Sequence, residues 1–228
     1  MEQIWVLGLL FFCSIFSADS LESYPKDCSV ILKDNPSAPS GQYVIQPGDS
    51  PALVVNCEMR SDAGWTVIQR NSKGSPITWS ESWTTYQYGF GDILGDHWIG
   101  LEYIHLLTDQ RSYKLRIEFY DSSNILKYAE YDSFYVESVS DMYRIRLGSY
   151  EGTAGDQMTK AETNLLLDNT RFTTKDKDND RGNGNCASNR GGGWWYGCCA
   201  DGYLNVEEPF WKNLNVARVL MMILPVKC

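Results

Sequence analysis

The chain has 228 residues, which is enough for one large domain or two small ones with a sizeable core. Hydrophobic residues make up 43% of it and aromatic residues 13%, so a disordered chain is excluded. The net charge is −9, with 20 Lys and Arg against 29 Asp and Glu. Because this acidic chain has no basic run, neither nucleic acid nor an anionic membrane is expected as its main partner.

An apolar run near the N-terminus predicts export. Residues 4–16 (IWVLGLLFFCSIF) are too few to span a bilayer comfortably but suit the core of a signal peptide. We therefore predict a signal peptide over residues 1–20, a short lead over 21–27, one domain over 28–228, and secretion into the extracellular space. An uncleaved anchor is the alternative, because no Lys or Arg precedes the run. No other apolar run is long enough for a membrane span.

Loss of the signal peptide also removes Cys13 and leaves an even number of cysteines. An even number in an exported protein indicates a disulfide framework, although the sequence alone leaves many pairings open. The remaining cysteines are Cys28, Cys57, Cys186, Cys198, Cys199 and Cys228.

The segment between Cys28 and Cys57 alternates short apolar runs (SVIL, QYVI, ALVV) with turns rich in Pro, Gly, Asp and Ser. This pattern predicts a small β-meander. A Cys28–Cys57 bridge is then the natural pairing, because it would join the two ends of that meander.

Alternation with a period of two predicts strands further along the sequence. It indicates a half-buried strand over Gly64–Arg70 (GWTVIQR) and three antiparallel strands in YKLRIEFYD, KYAEYDSFYVE and MYRIRLGSYEG. Apolar residues at helical spacing predict a helix over Asp96–Leu107, and a short helix is expected over Ala161–Asp168. The apolar run Arg218–Val226 predicts a terminal strand.

Alternating carboxylates followed by glycines mark a candidate cation loop. Asp176, Asp178 and Asp180 begin like an EF-hand, whose loop also needs Gly at its sixth position and Glu at its twelfth. Arg181 and Ala187 occupy those positions, so this loop is not an EF-hand. Two interpretations remain, a non-helical calcium loop that uses glycine carbonyls and an acidic surface turn.

Other candidate sites are weaker. His97 and His105 do not form a dense metal set and are expected to be structural, and the adjacent Cys198 and Cys199 lack the spacing of a zinc site. No catalytic serine or cysteine signature is present, so an enzyme is not expected. The segment 191–196 (GGGWWY) either lines a ligand groove or anchors the core through a tryptophan.

From Cys28 onward the sequence resembles the fibrinogen C-terminal (fibrinogen-related) domain family. The matching features are, in order, GQYVIQP, NCEM, GWTVIQR, GFGDILGDHWIGLEYIHLLT, YKLRIEFYD, FTTKDKDND, NCA and GGGWWY. Members include fibrinogen chains, ficolins, tachylectins, angiopoietins, tenascins and short secreted fibrinogen-like proteins. The resemblance implies an α+β fold with a small N-terminal β-subdomain, a central antiparallel sheet with short helices, and a loop-rich calcium-binding C-terminal subdomain.

The resemblance also implies a site for Ca²⁺ in the aspartate loop. Carried over residue by residue, its carboxylate ligands fall on Asp178 and Asp180, and its carbonyl ligands fall on Gly182 and Gly184. Asp176 is then a neighbouring charge and not a ligand.

Two disulfides are implied, Cys28–Cys57 and Cys186–Cys199, together with a cis peptide bond between Cys198 and Cys199. Cys198 and Cys228 are extra to the family pattern. We predict that they bond to each other, with an intermolecular bridge as the alternative.

The sequence departs from the family pattern around the ligand pocket. Ala200 replaces a histidine, and Arg190 reverses the charge of an aspartate that some members use to bind a positively charged peptide end. The segment LNVEEPFWKNL is also shorter than in most members. The candidate pocket residues carried over are Arg190, Trp195, Cys198, Cys199 and Ala200.

These expectations describe a secreted, calcium-binding, non-enzymatic recognition module whose partner is an extracellular glycan or protein receptor. One alternative is lectin-like recognition of acetylated carbohydrates, and another is a soluble ligand for a cell-surface receptor. The module is expected to be a monomer or a disulfide-linked oligomer.

Overall fold

The computed structural model describes residues 24–160 and 166–226. Antiparallel strands dominate these residues, and short helices lie between them. The elements in sequence order are α1 (Cys28–Asp34), β1 (Gly41–Ile45), β2 (Leu53–Met59), β3 (Gly64–Ser72), α2 (Trp83–Tyr88), β4 (Phe90–Gly91), β5 (His97–Trp98), α3 (Leu101–Gln110), β6 (Tyr113–Tyr120), β7 (Leu126–Val136), a 3₁₀ turn (Val139–Asp141), β8 (Ile145–Leu147), β9 (Tyr150–Gly152), α4 (Cys186–Arg190), β10 (Gly202–Tyr203), β11 (Phe210–Trp211) and β12 (Arg218–Pro225).

One large sheet runs through the molecule in the order β1-β2-β3-β12-β6-β7-β8. The predicted α+β fold is confirmed. The N-terminal hairpin β1–β2 extends the same sheet, because β2 pairs with β3. The strands β10 and β11 form a small second sheet.

The strand β12, near the C-terminus, lies in the middle of the sheet. It is antiparallel to both β3 and β6. Val219, Met221 and Ile223 are completely buried, which explains why this segment is almost uninterruptedly apolar. The predicted terminal strand is therefore confirmed, as are the strands predicted for GWTVIQR and YKLRIEFYD.

The first apolar run, SVIL, is helical, so the strand predicted there was wrong. The side chain of Asp27 accepts hydrogen bonds from the amides of Ser29 and Val30, which satisfies donors at the start of α1. A short apolar run suits a strand or one buried helical turn equally well, and this cap decides for the helix. The other two runs form the β1–β2 hairpin.

The helix predicted over Asp96–Leu107 begins five residues later, at Leu101. His97 and Trp98 are instead held as strand β5 by pairing with β3 and β4. Gly100 precedes the helix with φ +107, a value that favours glycine. The predicted apolar face is confirmed, because Leu101, Ile104 and Leu107 are all completely buried.

The strand predicted for MYRIRLGSYEG is divided into β8 and β9, which pair with different parts of β7. Between them, the side chain of Asp132 in β7 accepts a hydrogen bond from the Ser149 amide at 2.7 Å and interrupts the ladder. Most of the helix expected over Ala161–Asp168 lies outside the described residues, and the residues described from 166 onward are not helical.

Aromatic side chains form the core that joins the sheet to the C-terminal loops. The ring of Trp195 lies 6.0 Å from that of Trp98 and 5.1 Å from that of Phe172, and Phe172 lies 5.2 Å from Tyr86. This cluster ties the C-terminal loops to α2 and β5. Within the described ranges, no helix is long and apolar enough to cross a lipid bilayer.

Candidate functional site: an oxygen-rich loop and an adjoining cleft

Asp176 anchors the acidic loop to the start of helix α2. One of its carboxylate oxygens accepts hydrogen bonds from the Trp83 amide and the Thr174 hydroxyl, both at 2.8 Å. Partial burial alone would raise the pKa of Asp176, but these two bonds lower it below its ordinary value. This oxygen of Asp176 is therefore engaged in a structural contact, and the role of Asp176 as a neighbouring charge stays a prediction.

Asp178 and Asp180 shape the turn that follows. Asp178 accepts a hydrogen bond from the Asp180 amide at 3.2 Å. One oxygen of Asp180 accepts from the Gly182 amide at 2.7 Å, and the other accepts from the Cys186 amide at 2.8 Å. Since a carboxylate oxygen can accept two bonds, each oxygen of Asp180 still has a lone pair available.

Backbone oxygens lie beside these carboxylates. Among the described residues, the carbonyls of Gly182 and Gly184 accept no hydrogen bond. A Cβ atom placed on Gly182 would lie 3.2 Å from a carboxylate oxygen of Asp180 and 3.6 Å from the Gly184 carbonyl oxygen. The Asp180 carboxylate and the Gly184 carbonyl therefore lie close to the same point, and such hard oxygen donors fit Ca²⁺.

No group of three or more His, Cys, Asp or Glu side chains among the residues that the structure describes is arranged to hold a metal ion. A cation at this loop would therefore need the glycine carbonyls as well as the carboxylates. The donors favour a hard cation with mixed oxygen ligands over zinc.

Both disulfides implied by the resemblance are present, Cys28–Cys57 and Cys186–Cys199. The second closes the loop directly downstream of the acidic turn. Asn185 caps helix α4 by accepting a hydrogen bond from the Ser188 amide, so Cys186 lies at a defined helix start. The bridge thus fixes one end of the oxygen-rich turn to the segment that contains Trp194 and Trp195.

The expected cis peptide bond between Cys198 and Cys199 is not present, because no peptide bond among the described residues is cis. The backbone over residues 197–199 instead turns through a left-handed residue. Cys199 has φ +71, in the left-handed region, and the Gly197 amide donates a hydrogen bond to the Cys199 carbonyl at 3.1 Å. A left-handed residue turns the backbone within trans geometry, so this reversal needs no cis bond.

The structure does not bring the five candidate pocket residues together on one surface. Trp195 is completely buried and donates its indole N–H to the Tyr143 carbonyl at 2.7 Å, so it anchors the core. Ala200 is also buried. Neither side chain is exposed to a ligand, which favours the core-anchoring interpretation of Trp195. The assignment of Ala200, which concerns its backbone, stays a prediction.

Cys198 and Cys199 do not line the cleft that contains Arg190. Cys198 is exposed, with its thiol 3.5 Å from the Arg181 carbonyl, and it makes no bridge to another described cysteine. Its predicted partner, Cys228, lies outside the described residues. Of the five candidates, Arg190 is the one that lies on the wall of this described cleft.

That cleft has a volume of about 410 Å³ and separates two walls. One wall is the segment Ser75–Ser80, and the other comprises Arg190, Gly191 and Glu207. The volume is within the range of about 300–1,000 Å³ that is usual for ligand sites. Sequence reasoning missed Glu207 and the whole first wall, because a turn-rich segment without a motif carries no signal of what lies opposite it.

Buried amides of the sheet hold the second wall in place. The side-chain amide of Asn71 donates to the carbonyls of Leu204 and Val206, at 2.8 and 2.7 Å. Gly192, which follows Gly191 of this wall, permits a close approach to the 204–206 segment, because a Cβ atom there would lie 1.6 Å from the Asn205 carbonyl oxygen. Glu207 therefore follows a segment that the core fixes directly.

The two histidines lie in separate elements. His97 is completely buried and bonded to the Gly95 carbonyl at 3.0 Å, and His105 is bonded to the Val136 carbonyl at 2.8 Å. Burial lowers the pKa of His97. Both rings are thus engaged with backbone carbonyls, as expected for structural histidines.

Several known proteins are similar to this chain in sequence. The family model for the C-terminal globular domain of fibrinogen beta and gamma chains matches residues 24–218. A fibrinogen-like protein 1-like protein of Gallus gallus is 48% identical over 206 residues, which cover 89% of this chain and 72% of that protein. Angiopoietin-related protein 1 of Mus musculus is 45% identical over 173 residues, which cover 75% of this chain and 34% of that protein. The alignment therefore spans about a third of the longer relative.

Solved structures are similar to this chain in fold. The fibrinogen-like globe domain of human ANGPTL2 is 38% identical with a TM-score of 0.81, and the match covers 88% of this chain and 99% of that domain. Lamprey fibrin D-dimer, complexed with the peptide ligand Gly-His-Arg-Pro-amide, is 29% identical with a TM-score of 0.82. That match covers 93% of this chain and 79% of the lamprey protein.

Proposed function

The protein belongs to the family defined by the C-terminal globular domain of fibrinogen beta and gamma chains, and we propose that it is a secreted, calcium-binding recognition module that binds an extracellular ligand without catalysis. The observation that carries the proposal is the turn over residues 178–184. There, carboxylates lie beside a disulfide and beside two backbone carbonyls that accept no hydrogen bond among the described residues. Helix α4 connects this turn to the cleft lined by Arg190. Binding residues are often carried on loops beside a cleft, so this arrangement supports a recognition function.

Asp178 and Asp180 would hold the calcium ion through their carboxylates, and Gly182 and Gly184 would hold it through their carbonyls. These residues supply part of the ~6–8 oxygens that Ca²⁺ takes, and water completes such sites. When bound, calcium offsets the repulsion between the carboxylates. The loop's own hydrogen bonds, from the amides of Gly182 and Cys186 to Asp180, orient that carboxylate in advance.

Thermal unfolding with calcium or with a chelator tests the metal. We expect calcium at about 100 times its dissociation constant to stabilise the fold by about 2.7 kcal/mol, which corresponds to a rise of about 5–10 °C in melting temperature. Magnesium should give a smaller rise, because it demands a tighter octahedral geometry.

Matched variants assign that effect to the loop. Asp178→Asn and Asp180→Asn keep a hydrogen-bond acceptor but remove a negative charge, so the calcium-dependent rise should fall to a few degrees or disappear. Asp49→Asn is the control, because Asp49 is exposed and lies far from the loop in sequence. An identical melting curve for the parent protein in millimolar calcium and in chelator would show that the fold is not stabilised by calcium.

The disulfides support secretion, since such bridges form and persist in oxidising compartments. The predicted signal peptide, residues 1–20, lies outside the described residues. Mass spectrometry of the protein recovered from the medium of expressing cells tests both points. We expect a protein that begins near residue 21, and recovery of the full-length form from membranes would favour the uncleaved anchor.

Ligand classes can be separated experimentally. The burial of Trp195 and Ala200 leaves little of an inherited pocket for an acetylated sugar, so the geometry favours a protein partner such as a cell-surface receptor. The peptide named for the lamprey relative supports this preference. A glycan array probed with and without chelator is the test, and calcium-dependent binding to acetylated glycans would reverse the preference in favour of the lectin-like function.

A further inference from the structure

The cleft contains two opposite charges that do not pair with each other. Arg190 and Glu207 lie on the same wall, and both side chains are exposed. Neither takes part in an ion pair within the described ranges of the protein. By contrast, the next residue, Glu208, pairs with Lys73 at 3.1 Å. The cleft therefore presents one guanidinium and one carboxylate that remain available to a ligand.

Local packing explains why these two charges stay apart. The Arg190 guanidinium lies 5.1 Å from the centre of the Tyr203 ring, and one of its nitrogens donates to the Tyr203 hydroxyl at 3.4 Å. This contact holds the cation by its interaction with the ring face. Glu207 directly follows Val206, whose carbonyl accepts a bond from the buried Asn71. Tyr203 therefore positions Arg190, and the Asn71–Val206 hydrogen bond positions the backbone next to Glu207.

The opposite wall contains hydrogen-bond donors without partners. Trp79 is 2% exposed, and its indole N–H has no acceptor among the described residues. The hydroxyl of Ser75 is likewise buried without a partner in the described ranges. A buried polar group with an unmade bond costs about 1–3 kcal/mol, so this wall retains two such donors at a cost to stability.

We propose that this cleft binds a peptide segment of mixed charge, in which a carboxylate pairs with Arg190 and a nearby cation pairs with Glu207. This inference rests on the proposed recognition function and names its ligand class. Arg190 and Glu207 complement the two charges of such a segment, and Trp79 lines the same cleft. A sulfated polysaccharide fits less well, because Glu207 and the net charge of −9 repel a polyanion.

The probe is the peptide acetyl-Gly-Glu-Gly-Lys-Gly-amide, followed by ¹H–¹⁵N NMR of the full mature protein in calcium. Two analogues carry Gln in place of Glu or of Lys, and a sulfated heparin disaccharide is the fourth probe. We expect the mixed-charge peptide to shift the Trp79 indole signal and to bind at least about tenfold more tightly than either analogue, a difference of about 1.4 kcal/mol. Equal affinity for the three peptides, tighter binding of the disaccharide, or no shift at all would overturn the proposal.

Charge-reversal variants locate the contact. Arg190→Glu and Glu207→Lys should each weaken binding about tenfold or more, and the double variant should recover part of the affinity because the ligand can bind in the opposite direction. Arg171→Glu and Glu151→Lys are matched controls, since both residues are exposed and lie outside the cleft. Controls that weaken binding as strongly as the cleft variants would contradict the assignment.

The outcome can be distinguished from that of the calcium experiment. If calcium raises the melting temperature but no peptide binds, the cleft proposal fails and the metal-binding function stands. If the peptide binds but calcium has no effect, the metal is lost from the proposed function and the cleft remains.

Discussion

His97 lies buried in β5 with one ring nitrogen bonded to the Gly95 carbonyl and the other without a partner among the described residues. Burial lowers its pKa in the folded state, and the nearby Arg70 acts in the same direction. The unfolded protein then binds a proton more readily than the folded one. The contribution of the neutral ring to the free energy of unfolding is therefore fully present above about pH 6.5, the ordinary histidine pKa. It is lost as the pH falls from there towards the lowered pKa of the folded state.

Urea unfolding between pH 7.5 and pH 5.5 measures this effect. We expect the free energy of unfolding to decrease on acidification, by at most about 1.4 kcal/mol per pH unit from this one group. His97→Gln should remove most of that dependence, whereas His105→Gln should leave it in place. A pH dependence that is the same in the parent protein and in His97→Gln would contradict the prediction.

Gly192 marks a close backbone approach directly after Gly191, which belongs to the second wall of the cleft. Because a Cβ atom there would lie 1.6 Å from the Asn205 carbonyl oxygen, Gly192→Ala must displace the backbone of that wall. We expect a loss of about 3 kcal/mol or more in the free energy of unfolding, measured with urea. Gly95→Ala is the control, because its Cβ atom would have ordinary contacts at 3.6 Å and beyond. A loss below about 1 kcal/mol in Gly192→Ala would show that the wall is loosely packed.

At the scale of elements, helix α1 depends on one buried carboxylate. Asp27 is completely buried, caps α1, accepts a hydrogen bond from the Tyr113 hydroxyl at 2.5 Å, and pairs with Arg111. Asp27→Ala leaves these donors unpaired, so we expect a loss of about 3–5 kcal/mol in urea unfolding. Asp34→Ala, in the exposed last turn of the same helix, should change stability by less than about 0.5 kcal/mol. Comparable losses in the two variants would contradict this role.

Helix α1 also shows where a local sequence pattern stops predicting the secondary structure. The SVIL run has no periodicity that separates a strand from a helical turn, and Asp27, which caps it, is held by Arg111 and Tyr113, 84 and 86 residues away. Helix α3 begins later than predicted for a similar reason, because His97 and Trp98 form a strand that pairs with β3. Sequence reasoning found the buried face of α3 correctly because that face depends only on helical spacing.

At the scale of the whole molecule, the extra cysteines bear on the oligomeric state. A Cys198–Cys228 bridge requires the two Cα atoms to come within about 7 Å. Cys198 lies beside Arg181, while Val226, two residues before Cys228, donates its amide to the Ser112 carbonyl. Mass spectrometry of tryptic peptides without reduction tests the predicted pairing within one molecule. A Cys198 or Cys228 peptide recovered only from a covalent dimer would show that the intermolecular bridge forms instead.

The sequence by itself determined the features that depend on neighbouring residues or on a family pattern. Strand alternation and the apolar run of β12 depend on neighbouring residues, whereas the two cysteine pairs and the oxygen donors assigned to the 178–184 turn follow from the family pattern. Only the tertiary structure decided that Trp195 anchors the core and that Arg190 and Glu207 lie together opposite Ser75–Ser80. The physical reason is that the two walls are separated by more than about 100 positions in the sequence, and their approach is set by how the sheet and the aromatic core pack. The acidic turn could therefore be predicted as a candidate calcium loop, while the cleft beside it could be found only once the protein was folded.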